Sequence, residues 1–514
     1  MSSRRAFLAR TAALGMGAAV ALPAVAEAAP AAAAAPPDVD VEPRPEARGD
    51  LTELTVAEAA TLIRRGRLDP ADLLAAYLER IDAFDGTYQA FNLVRRDAAA
   101  AEARAAARRR PRTPLHGIPL AIKDNYFTAG VPTTANSFLF AGFVPPWNAT
   151  AVARLTAAGG IVLGKTQMGP LATTRATTPS GEVTTVNAWA PARPEVDPGG
   201  SSTGSATAVA GRMATSAIGT QTGGSITAPS NAQNLTGLKP TMGRVSLHGI
   251  VPLSYTRDHP GPLARDALDA AIMLAVMAGP DPEDPRTLGL PRVPDLVTAA
   301  TPVRSRGRVR LRWPTRVGVI PGYAASPART AFLDTLADIP GVTLVDVPLP
   351  EEWELLTGAV FNNVRLPERS EPFLPQLASD LRGFGVSVLG WLQGALLGAD
   401  EFLIGQRAKL RLLERVLEDV FDRCDVVVQT GPVPFDILGL PELGLPIGFT
   451  AEGLPTGTIL GGQPYAEDRL LAVAAAYQAV TDWHHRRPAD PTPTARRRPS
   501  SPRLDALDVL DSMQ

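Results

Sequence analysis

Between Pro198 and Pro229 the chain runs PGGSSTGSATAVAGRMATSAIGTQTGGSITAP, and no other stretch limits the fold as tightly. Two Gly-Gly-Ser elements put their first serines at Ser201 and Ser225. Between them, Thr203 to Ala210 is small-residued enough for a tightly packed helix, and Met213 to Ile218 suits a short strand. A helix followed by a strand folds the chain back, so both glycine turns can meet at one end of a sheet. Paired glycines reach positive φ without penalty and leave consecutive N–H groups aimed into a concavity. Such a concavity can stabilise an oxyanion, and a serine just after it is a candidate nucleophile. A phosphate-binding or purely structural loop would also use these glycines. Neither GxxxxGK[ST] nor GxGxxG with its dinucleotide unit is present, however.

A nucleophilic serine needs a base. The histidines are poorly placed: His116 precedes a buried strand, and His484 and His485 adjoin a polar tail. No GxSxG elbow occurs. A lysine can serve if burial disfavours its ammonium form. Lys123 follows the apolar run Gly117 to Ile122 and fits that role, although on spacing alone a lysine there is more often a snorkelling surface residue.

Composition narrows the chemistry. Fifty Lys+Arg against 52 Asp+Glu give a formal charge of −2, without the basic field of a nucleic-acid binder. The single cysteine, Cys424, excludes an intramolecular disulfide framework and reads as a core residue before a strand. The five histidines show no metal-ligand spacing, so neither a metal nor a cofactor is expected.

The chain divides unevenly. Residues 1–36 open with MSSRRAFLAR, continue through the uncharged Thr11 to Ala26, and offer small-residue cleavage sites around Ala24 to Ala28. That is the layout of a secretory signal, and Ser3-Arg4-Arg5-Ala6-Phe7-Leu8 resembles a twin-arginine address. The expected location is therefore secreted or periplasmic, with the twin-arginine machinery as a transient partner. Residues 37–50 read as a flexible leader, 51–488 as one globular domain with a variable insert near 290–420, and 489–514 as a disordered Pro/Arg/Ser-rich tail. Within the domain, amphipathic helices are expected over Thr55–Phe84 (broken near Gly66–Pro70), Ala98–Arg110, Thr150–Ala158, Pro327–Ala337 and Glu467–Trp483. Strands are expected at Gly117–Ile122, Ile161–Leu163, Arg316–Ile320, Thr343–Val347 and Asp425–Gln429. This alternation predicts an α/β fold, a central mixed β-sheet covered by helices on both faces.

An ordered set of segments across residues 52–487 resembles the amidase signature family of serine hydrolases. It includes LHGIPLAIKDNYFTAGVPTTANS, VARLTAAGGIVLGKTQM, GGSSTGSATAVA, GTQTGGSITAPS, GLKPTMGRVSLHGIVPLS and LGLPIGFTAEGLPTGTILGGQPYAEDRLL. The resemblance implies a Ser–Ser–Lys triad: Ser225 as acylated nucleophile, Ser201 as bridging serine after a cis peptide, and Lys123 as final base. It further implies an oxyanion hole from the amides of Thr222, Gly223, Gly224 and Ser225, with Ser202 in support. Met168 and Gly169 depart from the acidic, polar version usual after LGKTQ, and are expected to line the substrate pocket. The family commonly has aspartate where Gln221 stands and arginine where Thr227 stands. Losing both reads as a coordinated change, because losing one would strand a buried charge.

The implied function is an exported amidase splitting a small-molecule carboxylic amide into acid plus ammonia or amine, with a homodimer allowed for. The alternatives are the glutamine-hydrolysing subunit of a tRNA-dependent amidotransferase, which shares the signature, and a low-activity scaffold with altered chemistry at Gln221 and Thr227.

Overall fold

The computed structural model describes residues 39–493, so the expected signal segment and most of the expected tail lie outside the described residues. Strand–helix–strand units build the molecule. The strands of the main sheet are β1 (Phe91–Val94), β2 (Pro119–Lys123), β3 (Ile161–Thr166), β4 (Ser216–Gln221), β5 (Thr236–Lys239) and β6 (His259–Ala264). A separate hairpin, β7 (Val303–Ser305) and β8 (Arg308–Arg310), stands outside it. The main sheet is completed by β9 (Thr315–Val319), β10 (Val342–Asp346), β11 (Val426–Gln429), β12 (Glu442–Phe449) and β13 (Pro455–Gly462). Its order is β1-β3-β2-β4-β6-β5-β12-β13-β11-β9-β10, eleven strands in all. Pairings of β2 with β3 and β4, and of β9 with β10 and β11, are parallel, while the others are antiparallel.

Helices connect the parallel strands, as such crossovers require. The principal ones are α1 (Val56–Arg64), α2 (Pro70–Tyr88), α3 (Arg96–Ala107), α4 (Thr150–Ala157), α5 (Thr203–Ala210), α6 (Thr227–Ala232), α7 (Ala267–Met277), α8 (Pro327–Ala337), α9 (Asn362–Ser370), α10 (Ala399–Arg415) and α11 (Glu467–Gln478). With helices on both faces, β2, β3, β4 and β6 are buried along their whole length rather than at alternate residues. One large apolar cluster runs through Leu120, Ile122, Leu163, Ile218, Leu263 and Ile272. Cys424 lies in a second cluster with Phe421, Val427 and Phe435.

Three expectations shift. The strand expected at Met213–Ile218 is displaced to Ser216–Gln221. Residues 211–213 are spent closing α5, with Gly211 N–H bonding Thr207 O and Met213 N–H bonding Ala208 O. Gly219-Thr220-Gln221, which looks turn-like in sequence, is held as strand by pairing with Gly261, Pro260 and His259. The helix expected to reach Trp483 stops at Gln478, and Thr481 Oγ1 turns back onto Tyr477 O. The segment 290–420 is only partly an insert, because β9 and β10 form an edge of the main sheet.

The segment from Val39 to Asp50 is not a free leader. Val39 and Ala47 are buried, Arg44 donates to Glu58 Oε1 at 2.9 Å, and Val41 N–H donates to Thr61 Oγ1 at 2.9 Å. Glu58 also completes a capping box with Thr55 at the start of α1. At the other end, Asp490 pairs with Arg80 and Arg212, which ties the chain down beyond residue 488. Glu58→Ala removes both the box and the Arg44 anchor. It is expected to lower unfolding free energy by about 2 kcal/mol, read from the urea midpoint at unchanged m value.

Candidate functional site

β2 and β4 run parallel, so their C-terminal ends emerge side by side. Lys123 is the last residue of β2, Thr220 and Gln221 close β4, Ser201 and Ser202 precede α5, and Ser225 precedes α6. The glycine turns therefore meet over the end of Lys123. The Gly200–Ser201 peptide is cis, as the resemblance implies. Gly169 N–H bonds Ser201 O at 3.1 Å and fixes that turn from behind. Ser202 tucks under β4 where only glycine fits, since a Cβ on Gly219 would stand 2.5 Å from Ser202 Oγ. Gly224 adopts φ +102°, which a side chain would strain.

Lys123 is fully buried, and its Nζ lies 2.8 Å from Ser201 Oγ, 3.0 Å from Ser202 Oγ, 2.9 Å from Thr220 Oγ1 and 3.2 Å from Thr220 O. All four neighbours are neutral oxygens. Burial dominates, and Asp258 opposes it only from a distance, so the amine's pKa is lowered to about 7. A neutral amine has two donors and one lone pair. Three rotatable hydroxyls around it can fill that lone pair, while Thr220 O accepts a donor.

The neighbouring lysine shows the contrast. Lys165 is equally buried, but Asp124 Oδ1 sits 3.1 Å from its Nζ, which also donates to Tyr126 O and Thr133 Oγ1. The adjacent residues Lys123 and Asp124 thus part company, and the carboxylate serves the other lysine.

Ser225 is half-buried and joins the cluster through its backbone, with Ser202 N–H bonding Ser225 O at 3.4 Å. Among the described residues its hydroxyl makes no hydrogen bond in this arrangement. The Gly223, Gly224 and Ser225 amides donate to no protein acceptor there either, and are free for a ligand oxygen. The Thr222 hydroxyl donates to Asp258, whose other oxygen accepts from Leu253 N–H at 2.7 Å and Ser254 N–H at 3.1 Å. Met168 is fully buried in an apolar cluster with Leu171, Phe373, Phe384 and Trp391, behind the turn rather than open to it.

The paired departures at Gln221 and Thr227 are joined by one network. Gln221 Oε1 accepts from Ile226 N–H at 2.9 Å, Thr227 N–H at 3.0 Å and Thr227 Oγ1 at 3.2 Å. Its Nε2 donates to Glu442 Oε2 at 2.7 Å. The amide thus supplies the acceptor for the nucleophile turn and hands its second half to a buried acid. Burial pushes Glu442 up to about 8, against the pull of Lys239. Asp258, Thr220 and Glu442 carry no local signal in the sequence, because each acts across a fold contact; only the position of Glu442, facing β5 and β13, reveals it. His259 is no base, since burial holds it well below the usual histidine range and its Nδ1 lies 2.7 Å from Arg257 O.

A buried amine, two serines and a ring of free amides at the end of parallel strands define a centre fitted to acyl-transfer chemistry. The family model described as Amidase matches residues 72–370, and the chain belongs to that family, hydrolases acting on amides. It is 37% identical over 491 residues to a glutamyl-tRNA(Gln) amidotransferase subunit of Chloroflexus aurantiacus, covering 85% of this chain and 99% of that one. The corresponding protein of Ralstonia pickettii is 33% identical over 505 residues, covering 85% and 100%. Among solved structures, the native peptide amidase of Stenotrophomonas maltophilia superposes with TM-score 0.69 at 29% identity, covering 88% of this chain and 100% of that one.

Gln221→Leu leaves two buried backbone donors and the Glu442 carboxyl without their partner. It is expected to cost about 2–4 kcal/mol in urea unfolding. Gln221→Glu sets a second carboxyl against Glu442, so its stability should fall as pH rises through the range in which both must ionise.

Proposed function

We propose that the chain hydrolyses the C–N bond of carboxylic amides through an acyl-enzyme on Ser225. The observation that carries this reading is Lys123, buried among neutral hydroxyls with no carboxylate in contact, beside amides that lack an acceptor. Ser225 Oγ attacks the carbonyl carbon as its proton passes to Ser201 Oγ, and the Ser201 proton passes to Lys123 Nζ. The negative oxygen sits on the glycine-turn amides, each worth on the order of 3 kcal/mol in the transition state. Collapse breaks the C–N bond, and the leaving nitrogen takes the proton back through Ser201. Water then repeats the sequence on the ester and frees the acid. Ser202 supports the lysine, and Gln221 with Thr227 holds the turn that carries Ser225.

Two settings fit this chemistry. The amidotransferase relatives from Chloroflexus and Ralstonia favour the glutamine-hydrolysing subunit of a tRNA-dependent amidotransferase, and they support it better than an exported enzyme. The arginine-bearing first segment supports export by the twin-arginine route. Glutaminase activity that appears only with partner subunits would establish the first setting. Extracytoplasmic protein lost on replacing Arg4 and Arg5 with lysine would establish the second, and unchanged cytosolic protein would dismiss it.

Ser225→Ala is expected to abolish amide hydrolysis, and a fluorophosphonate adduct should map to Ser225 by mass spectrometry; an adduct elsewhere overturns the nucleophile. Lys123 must be neutral to accept a proton, so kcat/KM should fall as pH drops through about 7. Lys123→Ala should lose at least about a hundredfold and abolish that limb of the profile.

A further inference from the structure

Helix α10 has one face packed into the molecule and one that nothing covers among the described residues. Gly405 and Leu412 lie on the inner face, and a Cβ on Gly405 would stand 2.9 Å from Val364 Cγ2 of α9. The helix continues past Arg415 as a π-helical turn, Val416–Phe421, in which Val416, Val420 and Phe421 are likewise buried. On the outer face Leu403, Leu410 and Leu417 recur at every seventh residue and are 54%, 68% and 36% exposed. Ile404 beside them is exposed as well. A single exposed leucine is ordinary on a protein surface, whereas a row of them along one helix marks a contact.

Two charges stand between the leucines. Arg407 and Glu414 are exposed and complete a row whose steps alternate between four and three residues, the spacing that keeps side chains on one side of a helix. The row reads Leu403, Arg407, Leu410, Glu414, Leu417 and covers about 21 Å of helix at about 1.5 Å per residue. Arg407 has no ion pair among the described residues, and Glu414 has Arg411 of its own helix at 2.6 Å. Arg411, on the flank, is also held by Glu352 at 2.8 Å.

Reversed end to end, the row keeps its leucines in place and exchanges its arginine for its glutamate. A surface with that order is complementary to itself. A two-fold axis through Leu410, perpendicular to the helix, sets Leu410 against Leu410, Leu403 against Leu417, and Arg407 against Glu414 twice over. Parallel pairing of the same faces would set arginine on arginine and glutamate on glutamate. A partner of unrelated sequence requires no such symmetry, and a lipid surface gains nothing from a glutamate in the middle of the face.

We propose that this face of α10 is the contact between two copies of the chain, which pair antiparallel through Leu403, Arg407, Leu410, Glu414 and Leu417. The contact is independent of the chemistry at Ser225, and its test needs no turnover. Sedimentation velocity of the full chain at up to about 100 μM should show a dimer. Leu410→Glu should weaken the dimer at least about tenfold, and so should Arg407→Glu and Glu414→Arg, each of which sets like charges together. Mixing the last two variants should restore a dimer with one copy of each, because arginine and glutamate then face each other at both positions. That restoration also shows that the single variants are folded, with far-UV circular dichroism as a second check. A monomer at every concentration overturns the contact. A dimer indifferent to Leu410→Glu and to both charge reversals overturns it too, since its interface then lies elsewhere. Failure of the two charge variants to pair with each other overturns the antiparallel arrangement. A monomer that floats with phosphatidylglycerol vesicles, and ceases to in Leu410→Glu, overturns the proposal in favour of a lipid surface.

Discussion

The burial of Lys123 without a carboxylate organises the centre. An ammonium in that position would have to give up water for four neutral oxygens, so the protein holds the amine near the boundary between its two protonation states. Everything nearby follows from keeping that pocket dry and neutral. Strand ends bring hydroxyls rather than acids to the amine, Asn125 donates to Thr220 Oγ1 at 3.0 Å, and Tyr126 OH closes onto Gly219 O at 2.6 Å. The nearest acid in the electrostatic balance, Asp258, is spent on Thr222 and two backbone amides. Giving Asp124 to Lys165 completes the separation: one lysine is paired with a carboxylate, the other is left among neutral oxygens.

Gln221 shows how a buried pair can be replaced without loss of order. An acid and a base at 221 and 227 would hold the turn by charge. Here a neutral amide holds it by geometry, satisfying two backbone donors with one oxygen and a distant acid with its nitrogen. A neutral bridge avoids the desolvation that a buried ion pair incurs. The residual charge problem lies with Glu442 and Lys239, away from Ser225.

Local pattern made much of this legible. Helix α5 and helix α8 fall on the residues expected, because small residues and a Pro-started amphipathic run are local signals. The glycine turns and Lys123 are legible as a serine–base arrangement, with roles supplied by family resemblance. What the sequence hides is tertiary. The position of β4 depends on its partner β6, and Gly219-Thr220-Gln221 has no strand propensity of its own. Arg44 and Asp490 look like solvent charges until the fold brings Glu58, Arg80 and Arg212 to them. Met168 reads as a pocket residue from its place after LGKTQ in the family resemblance, yet the aromatic cluster around Trp391 takes it inside.

The packing of α5 sets a limit on how such a chain can diversify. A Cβ on Gly204 would meet Ala90 O at 2.4 Å and Gln167 N at 2.6 Å, and every residue of the helix is buried. A side chain at Gly204 must therefore break backbone contacts at the floor of the site. Helix α9 is packed less completely, with Val364, Leu366 and Ser370 buried and its other residues half-buried. A change of side-chain size is therefore accommodated more readily in that helix than in α5.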